Sequence, residues 1–139
     1  MRIETLILIF DNRANNVLFC KCDSPPYQGL LNLVGGMLEN TEDGISGAYR
    51  ELEEKAGITK NDVSLLHIMD LRYYLDDLLL HVYVGRLHKP ASAYSKENDL
   101  FWVPIQHVLM PSDHFTGNGK LEHIMEYTFQ MLENGKLKL

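Results

Sequence analysis

Positive charge is scarce in this chain: 13 Lys and Arg stand against 19 Asp and Glu, a formal net charge of −6 over 139 residues. A protein that grips a nucleic-acid backbone needs a basic face, and this balance argues against that class. Long apolar runs are also missing. The opening stretch MRIETLILIF is too short to cross a bilayer and carries acidic Glu4, so it reads as a strand rather than a signal peptide. Cysteine is limited to Cys20 and Cys22, two apart on a predicted strand and on one face. A disulfide between them would be strained, and reduced thiols in a cytoplasmic protein are expected, with metal binding a poor second. No repeat, low-complexity segment or linker interrupts the chain, and 139 residues make one domain, 1–139, with room for a real core. The six histidines show no close metal-ligand spacing, such as two on one helical turn, and receive no site.

What the chain does have is concentrated in residues 36–58, GMLENTEDGISGAYRELEEKAGI. A glycine pair, Gly35-Gly36, leads to Glu42 and then to a helical pattern carrying Arg50, Glu51, Glu53 and Glu54, closed by Gly57. At about 100° per residue, Ile45, Ala48, Tyr49, Leu52 and Ala56 form one apolar stripe. Glu51 and Glu54 lie opposite it, one turn apart, so that their carboxylates can converge. Gly47 lies between them and leaves a gap on that face. Two carboxylates beside a gap suit a hard divalent cation and leave coordination positions for phosphate oxygens. A plain solvated face would read Glu51 and Lys55 as an exposed pair worth a few tenths of a kcal/mol. That reading requires neither the glycine pair, nor Glu42, nor Gly57.

The spacing Gly36, five residues, Glu42, seven residues, Arg50-Glu51-Leu52, one residue, Glu54, then Gly57-Ile58 resembles the signature of the Nudix hydrolases. These cleave nucleoside diphosphates linked to another group. The resemblance runs loosely over nearly the whole chain, with Phe101-Trp102-Val103-Pro104 standing where the family has a late tryptophan strand. It implies an α/β/α sandwich around a mixed sheet and metal-assisted attack of water on a diphosphate, with Mg²⁺ or Mn²⁺ as cofactor. Glu51 and Glu54 would be metal ligands, with Glu42 completing the site directly or through water. Arg50 would hold the carboxylates in place. A loop carboxylate would serve as general base, Glu97 first and Asp99 second. Gly35 and Gly36 would border the substrate. Asn118, between Gly117 and Gly119, is a candidate to contact a base or a phosphate, with an ordinary helix cap as the other reading.

One position departs in a way that touches the chemistry. The family has two adjacent glutamates where this chain has Glu54-Lys55, and an ammonium cannot ligate a cation. Val34 and Leu31 also replace a usual proline and tryptophan, which affects packing only. Three readings stay open: an active pyrophosphohydrolase, a nucleotide-binding protein of the same fold that has lost turnover, and a hydrolase whose Lys55 binds substrate phosphate. The expected partner is a small-molecule nucleotide, with no nucleic acid and no membrane; a homodimer is compatible with the chain.

Elsewhere, strands are predicted over 5–10 and 17–22 as a hairpin and over 30–34 as one short piece. A long antiparallel pair is predicted over 63–74 and 78–87, and a further strand over 101–104. A helical turn over 105–110 and a C-terminal helix carrying Leu121, Ile124, Met125, Thr128, Met131 and Leu132 complete the reading.

Overall fold

The first strand, β1 (Arg2–Phe10), is buried on both faces, and this dictates the layering. Leu6, Leu8 and Phe10 enter one core, Ile7 and Ile9 another, as the two-residue period of a strand requires. A computed structural model describes residues 1–23, 27–90, 99–108, 115 and 119–139. Within them β1 is followed by β2 (Asn16–Lys21), β3 (Leu31–Asn32), β4 (Val34–Met37) and α1 (Gly44–Ala56). Then come β5 (Leu66–Tyr73), β6 (Leu78–Arg86), β7 (Asp99–Pro104), the short α2 (Ile105–Val108) and α3 (Lys120–Glu133). The strands make one mixed sheet of seven. β1 runs parallel to β6 over its whole length and antiparallel to β4, and it meets β2 only at Phe10 and Val17. Ala48, Leu52 and Ala56 of α1 pack on the Ile7 face, while Leu121, Ile124 and Met125 of α3 pack on the Leu6 face. This is the α/β/α sandwich expected from the sequence.

Two expectations need correction. The strand expected over 30–34 is divided at Leu33, because the Asn32 side chain takes the Leu33 N–H at 2.8 Å and removes it from the ladder. Pairing then resumes as β4 and carries the chain through the glycine pair to Met37. Gly35 permits this: a Cβ there would run into the backbone carbonyl of Thr5 on β1. Secondly, the apolar stripe of α1 does not include Ile45, which is 38% exposed. Ile45 belongs to the first turn, and the helix makes its sheet contacts further along, through Ala48, Leu52 and Ala56. The helix ends are well determined. Asp43 caps the start by accepting from the Ser46 N–H at 2.8 Å, and Gly57 closes the end with φ 68°, the left-handed geometry that glycine adopts without strain.

Cys20 and Cys22 are both free. Burial, and then the neighbouring Cys22, push the Cys20 thiol above its usual pKa, so neither is an activated nucleophile.

Candidate functional site

One guanidinium gathers the acidic residues of α1 and the loop before it. Arg50 donates to Glu42 through Nη2 at 2.6 Å and through Nε at 3.0 and 3.2 Å. Its Nη1 lies 3.0 Å from Glu51 and 3.1 Å from Glu54, with Glu39 at 3.8 Å. Nη2 also donates to the Met37 carbonyl at the end of β4, 3.2 Å away. The charge-assisted fork fixes Glu42, bonds to Glu54 and pairs with Glu51 beside the strand bearing the glycine pair, while exposed Glu39 at 3.8 Å is too far for a hydrogen bond. Its bonds to Glu42, ahead of the other carboxylates, raise the pKa of Arg50, which stays charged at all working pH.

The structure reverses the expected position of Glu51. Its side chain is only 9% exposed rather than open to solvent. It lies against Gly36, where a Cβ would come within 2.5 Å of its Oε2, so the second glycine makes room for a carboxylate. The gap expected at Gly47 is filled from within the chain by Leu38 and by Glu42, whose Oε1 would lie 3.0 Å from a Cβ there. Glu54, by contrast, is 59% exposed and faces outward.

Lys55 lies within this cluster. Its ammonium is 3.2 Å from Glu51 Oε2 and donates to the Gly35 carbonyl on β4. The Glu51–Lys55 pair is thus partly buried and tied to the strand, unlike a solvated helix pair. Glu39, Glu42, Glu51 and Glu54 are set against Arg50 and Lys55, which leaves the cluster a net negative charge of about two at neutral pH. Glu54 and Glu39 turn outward, while the oxygens of Glu42 and Glu51 are taken up by Arg50 and Lys55, so the cluster offers a hard divalent cation an incomplete oxygen set that water or substrate would have to complete.

Glu42 carries a pH signature. The Arg50 hydrogen bonds, and then the N–H of Glu39, hold its carboxyl down from 4.5 to about 2. A depressed folded-state value stabilises the fold above the unfolded value and is lost as pH falls through the folded one. The stabilising contribution of Glu42 is therefore expected to be complete above about pH 4.5 and to fade towards pH 2. Carbon-13 detection of the Glu42 carboxyl during acid titration checks this, and a midpoint near 4.5 would mean that the pair with Arg50 is not formed in solution.

On the opposite face of the sheet lies a cleft of about 840 Å³. It is lined by Glu4, Tyr27, Asn32, Tyr73, Lys120 and His123, among others. Glu4 on its rim pairs in register with Met37, the residue whose carbonyl Arg50 holds. Gly119, the cap position of α3, also borders this cleft, and among the described residues no side chain caps that helix. Asn118, the residue expected there, and Glu97, the expected base, lie outside the described residues, as does the side chain of Asp99.

Sequence reasoning missed one constellation. His67 Nε2 and His81 Nδ1 each lie 2.6 Å from the same oxygen of Asp70, Oδ1. Residues three apart on a regular strand face opposite sides, so His67 and Asp70 gave no signal. A bulge between His67 and Met69 brings both to the α1 side of the sheet.

Comparison with known proteins fits these observations. The family model described as NUDIX domain matches residues 1–124. No curated protein matches the sequence. Among solved structures, a binary complex of a C. elegans Ap4A hydrolase aligns with a TM-score of 0.74 at 16% identity, covering 96% of this chain and 99% of that one. The E. coli dihydroneopterin triphosphate pyrophosphohydrolase aligns at 0.70 with 14% identity over 92% and 95% of the two chains. The NUDIX domain of Shewanella oneidensis NrtR, complexed with ADP ribose, aligns at 0.68 with 19% identity over 94% and 87%. At these identities the likeness speaks for the fold.

Proposed function

The chain belongs to the Nudix family, and on that footing we propose that residues 1–139 act as one domain that hydrolyses a phosphoanhydride bond in a nucleoside diphosphate derivative. The observation that carries the reading is the convergence of Glu42, Glu51 and Glu54 on Arg50 beside the Gly35–Gly36 strand. A Mg²⁺ or Mn²⁺ ion held by Glu54 and Glu51, with Glu42 behind them, would neutralise phosphate charge and lower the pKa of a bound water. The protein's own part is positional. Arg50 fixes where the carboxylates point, and Gly36 lets Glu51 lie against the strand. The 840 Å³ cleft lies on the other face of the sheet and would offer Tyr27 and Tyr73 as stacking surfaces for a base. The Ap4A hydrolase and the ADP-ribose-bound domain handle ligands of the same chemical class, which supports a nucleotide as substrate.

The test is phosphate release over a panel of nucleoside diphosphate derivatives with Mg²⁺ or Mn²⁺. Glu54→Gln is expected to abolish hydrolysis, a loss beyond the roughly tenfold to hundredfold that follows from disturbing a group behind a metal ligand. Its melting temperature should stay within a degree or two of wild type, because the side chain is mostly exposed. A loss of many degrees would make Glu54 a structural residue.

The position of Lys55 favours a second reading, a nucleotide-binding protein without turnover. Its ammonium occupies the Gly35 carbonyl and one oxygen of Glu51, groups that a cation would otherwise share. Nucleotide binding by calorimetry with no release from any member of the panel would decide for this reading.

A further inference from the structure

The sheet carries a row of residues facing α1 that reaches from the carboxylate cluster to the histidine pair. Gly36 on β4 pairs with Thr5 on β1, Thr5 with His81 on β6, and His81 with Asp70 on β5. At about 4.8 Å between neighbouring strands, His81 is roughly 10 Å from Gly36. The two ends of the row have different chemistry. One is all oxygen. The other has two imidazoles and one carboxylate.

We propose that His67, Asp70 and His81 form a binding site for one borderline transition-metal ion, Zn²⁺ foremost, separate from the carboxylate cluster. One ligand atom from each residue lies within 4.8 Å of the other two. The site is built by the fold rather than by chance contact of flexible ends. The bulge turns His67 and Asp70 to one face, and the register sets Asp70 directly beside His81. Tyr83, two residues on from His81, stacks on the His67 ring with centroids 4.7 Å apart and planes 28° apart. The two histidine rings meet edge to face at 5.1 Å. Both rings are therefore restrained, while one side of the group stays open to solvent, with His67 and Asp70 both exposed.

The present distances are those of hydrogen bonds, with Asp70 Oδ1 accepting from both rings. Zinc bonds of about 2.0–2.2 Å in tetrahedral geometry place ligand atoms a little over 3 Å apart, so the group needs to open by less than about 1 Å. Three protein ligands with a free fourth position is the arrangement of a zinc site that keeps water or an exogenous oxygen. Imidazole prefers Zn²⁺, Ni²⁺ or Cu²⁺ to Mg²⁺, which separates this site from the all-oxygen cluster at the other end of the row.

The test uses the metal-free full chain, titrated with Zn²⁺ against a chromophoric chelator in millimolar Mg²⁺. One equivalent is expected to bind with a dissociation constant in the micromolar range or below. His67→Ala and His81→Ala should each weaken it at least about a hundredfold, and Glu54→Gln should leave it unchanged. In the wild-type protein, Zn²⁺ should shift the ring signals of His67 and His81 in nuclear magnetic resonance spectra and leave those of His107 and His123 in place. That measurement needs no substitution and stands even where a variant folds poorly. No binding, binding indifferent to both histidine substitutions, or binding lost with Glu54→Gln would overturn the proposal.

Discussion

Arg50→Ala is expected to lower turnover on the order of 1,000-fold, since a misplacement of about 1 Å costs around a hundredfold and more than one group is displaced here. It should also lower the melting temperature by about 10 °C. The reason is the number of charges that a single side chain serves. Glu42 receives three hydrogen bonds from the guanidinium, and nearly buried Glu51 receives its closest contact from the same group besides that of Lys55. Removing the cation leaves Glu39, Glu42, Glu51 and Glu54 facing one another with Lys55 alone to offset them. Breaking a buried pair costs about 3–5 kcal/mol; with Arg50 partly exposed, about 2–3 kcal/mol is expected. At several degrees per kcal/mol for a chain of this size, that is the stated shift. Arg50→Lys restores the charge but not the fork, so the melting temperature should recover in part while turnover stays low. Millimolar Mg²⁺ should raise the melting point of Arg50→Ala more than that of wild type, because the ion replaces the missing positive charge. Thermal melts with and without Mg²⁺ decide it. A variant that melts like wild type would show that solvent screens the cluster and that Arg50 has no positioning role.

The arrangement around Arg50 explains why part of the site was legible and part was not. Helical period alone set Ala48, Leu52 and Ala56 on the sheet, and hydrophobic runs located β1, β2, β5, β6 and β7. These are local signals, and the layers followed from them. The side of α1 bearing Glu51 was misjudged because a wheel records angle but not what stands opposite. Gly36, across on β4, turns an outward glutamate into a nearly buried one. The Gly47 gap failed for the same reason, since Leu38 and Glu42 come from the preceding loop to fill it. The histidine and aspartate group depended on a single inserted residue in β5, which leaves no trace in spacing. Lys55 was legible as an anomaly, whereas its contact with the Gly35 carbonyl depends on where β4 runs.

That contact makes Lys55→Glu the sharpest substitution in the molecule. In wild type the ammonium joins α1 to β4 by holding the Gly35 carbonyl and Glu51 together. Replacing it with a carboxylate puts a like charge beside Glu51, deprives the Gly35 carbonyl of its donor and makes the cluster two charges more negative. Without divalent metal, the variant should melt about 5 °C below wild type, the consequence of roughly 1–2 kcal/mol of repulsion and lost bonding. With Mn²⁺ the order should reverse. An added anionic ligand next to Glu51 and Glu54 is expected to tighten Mn²⁺ binding about a hundredfold, some 2.7 kcal/mol. The corresponding stabilisation should exceed the loss, and turnover should rise with it, because a firmly held ion stabilises charge in the transition state. Wild type, whose Lys55 competes for the same oxygens, should bind Mn²⁺ no tighter than micromolar in the absence of nucleotide. Calorimetry with Mn²⁺, melts in chelator and in Mn²⁺, and kinetics on the best substrate of the panel measure each part separately. If Lys55→Glu binds Mn²⁺ more tightly yet turns over more slowly and holds nucleotide more weakly, the ammonium is a phosphate-binding group and the site is adapted rather than weakened. If Mn²⁺ affinity does not change at all, the ion is held away from Glu51, and the outward carboxylates Glu54 and Glu39 are left as its ligands.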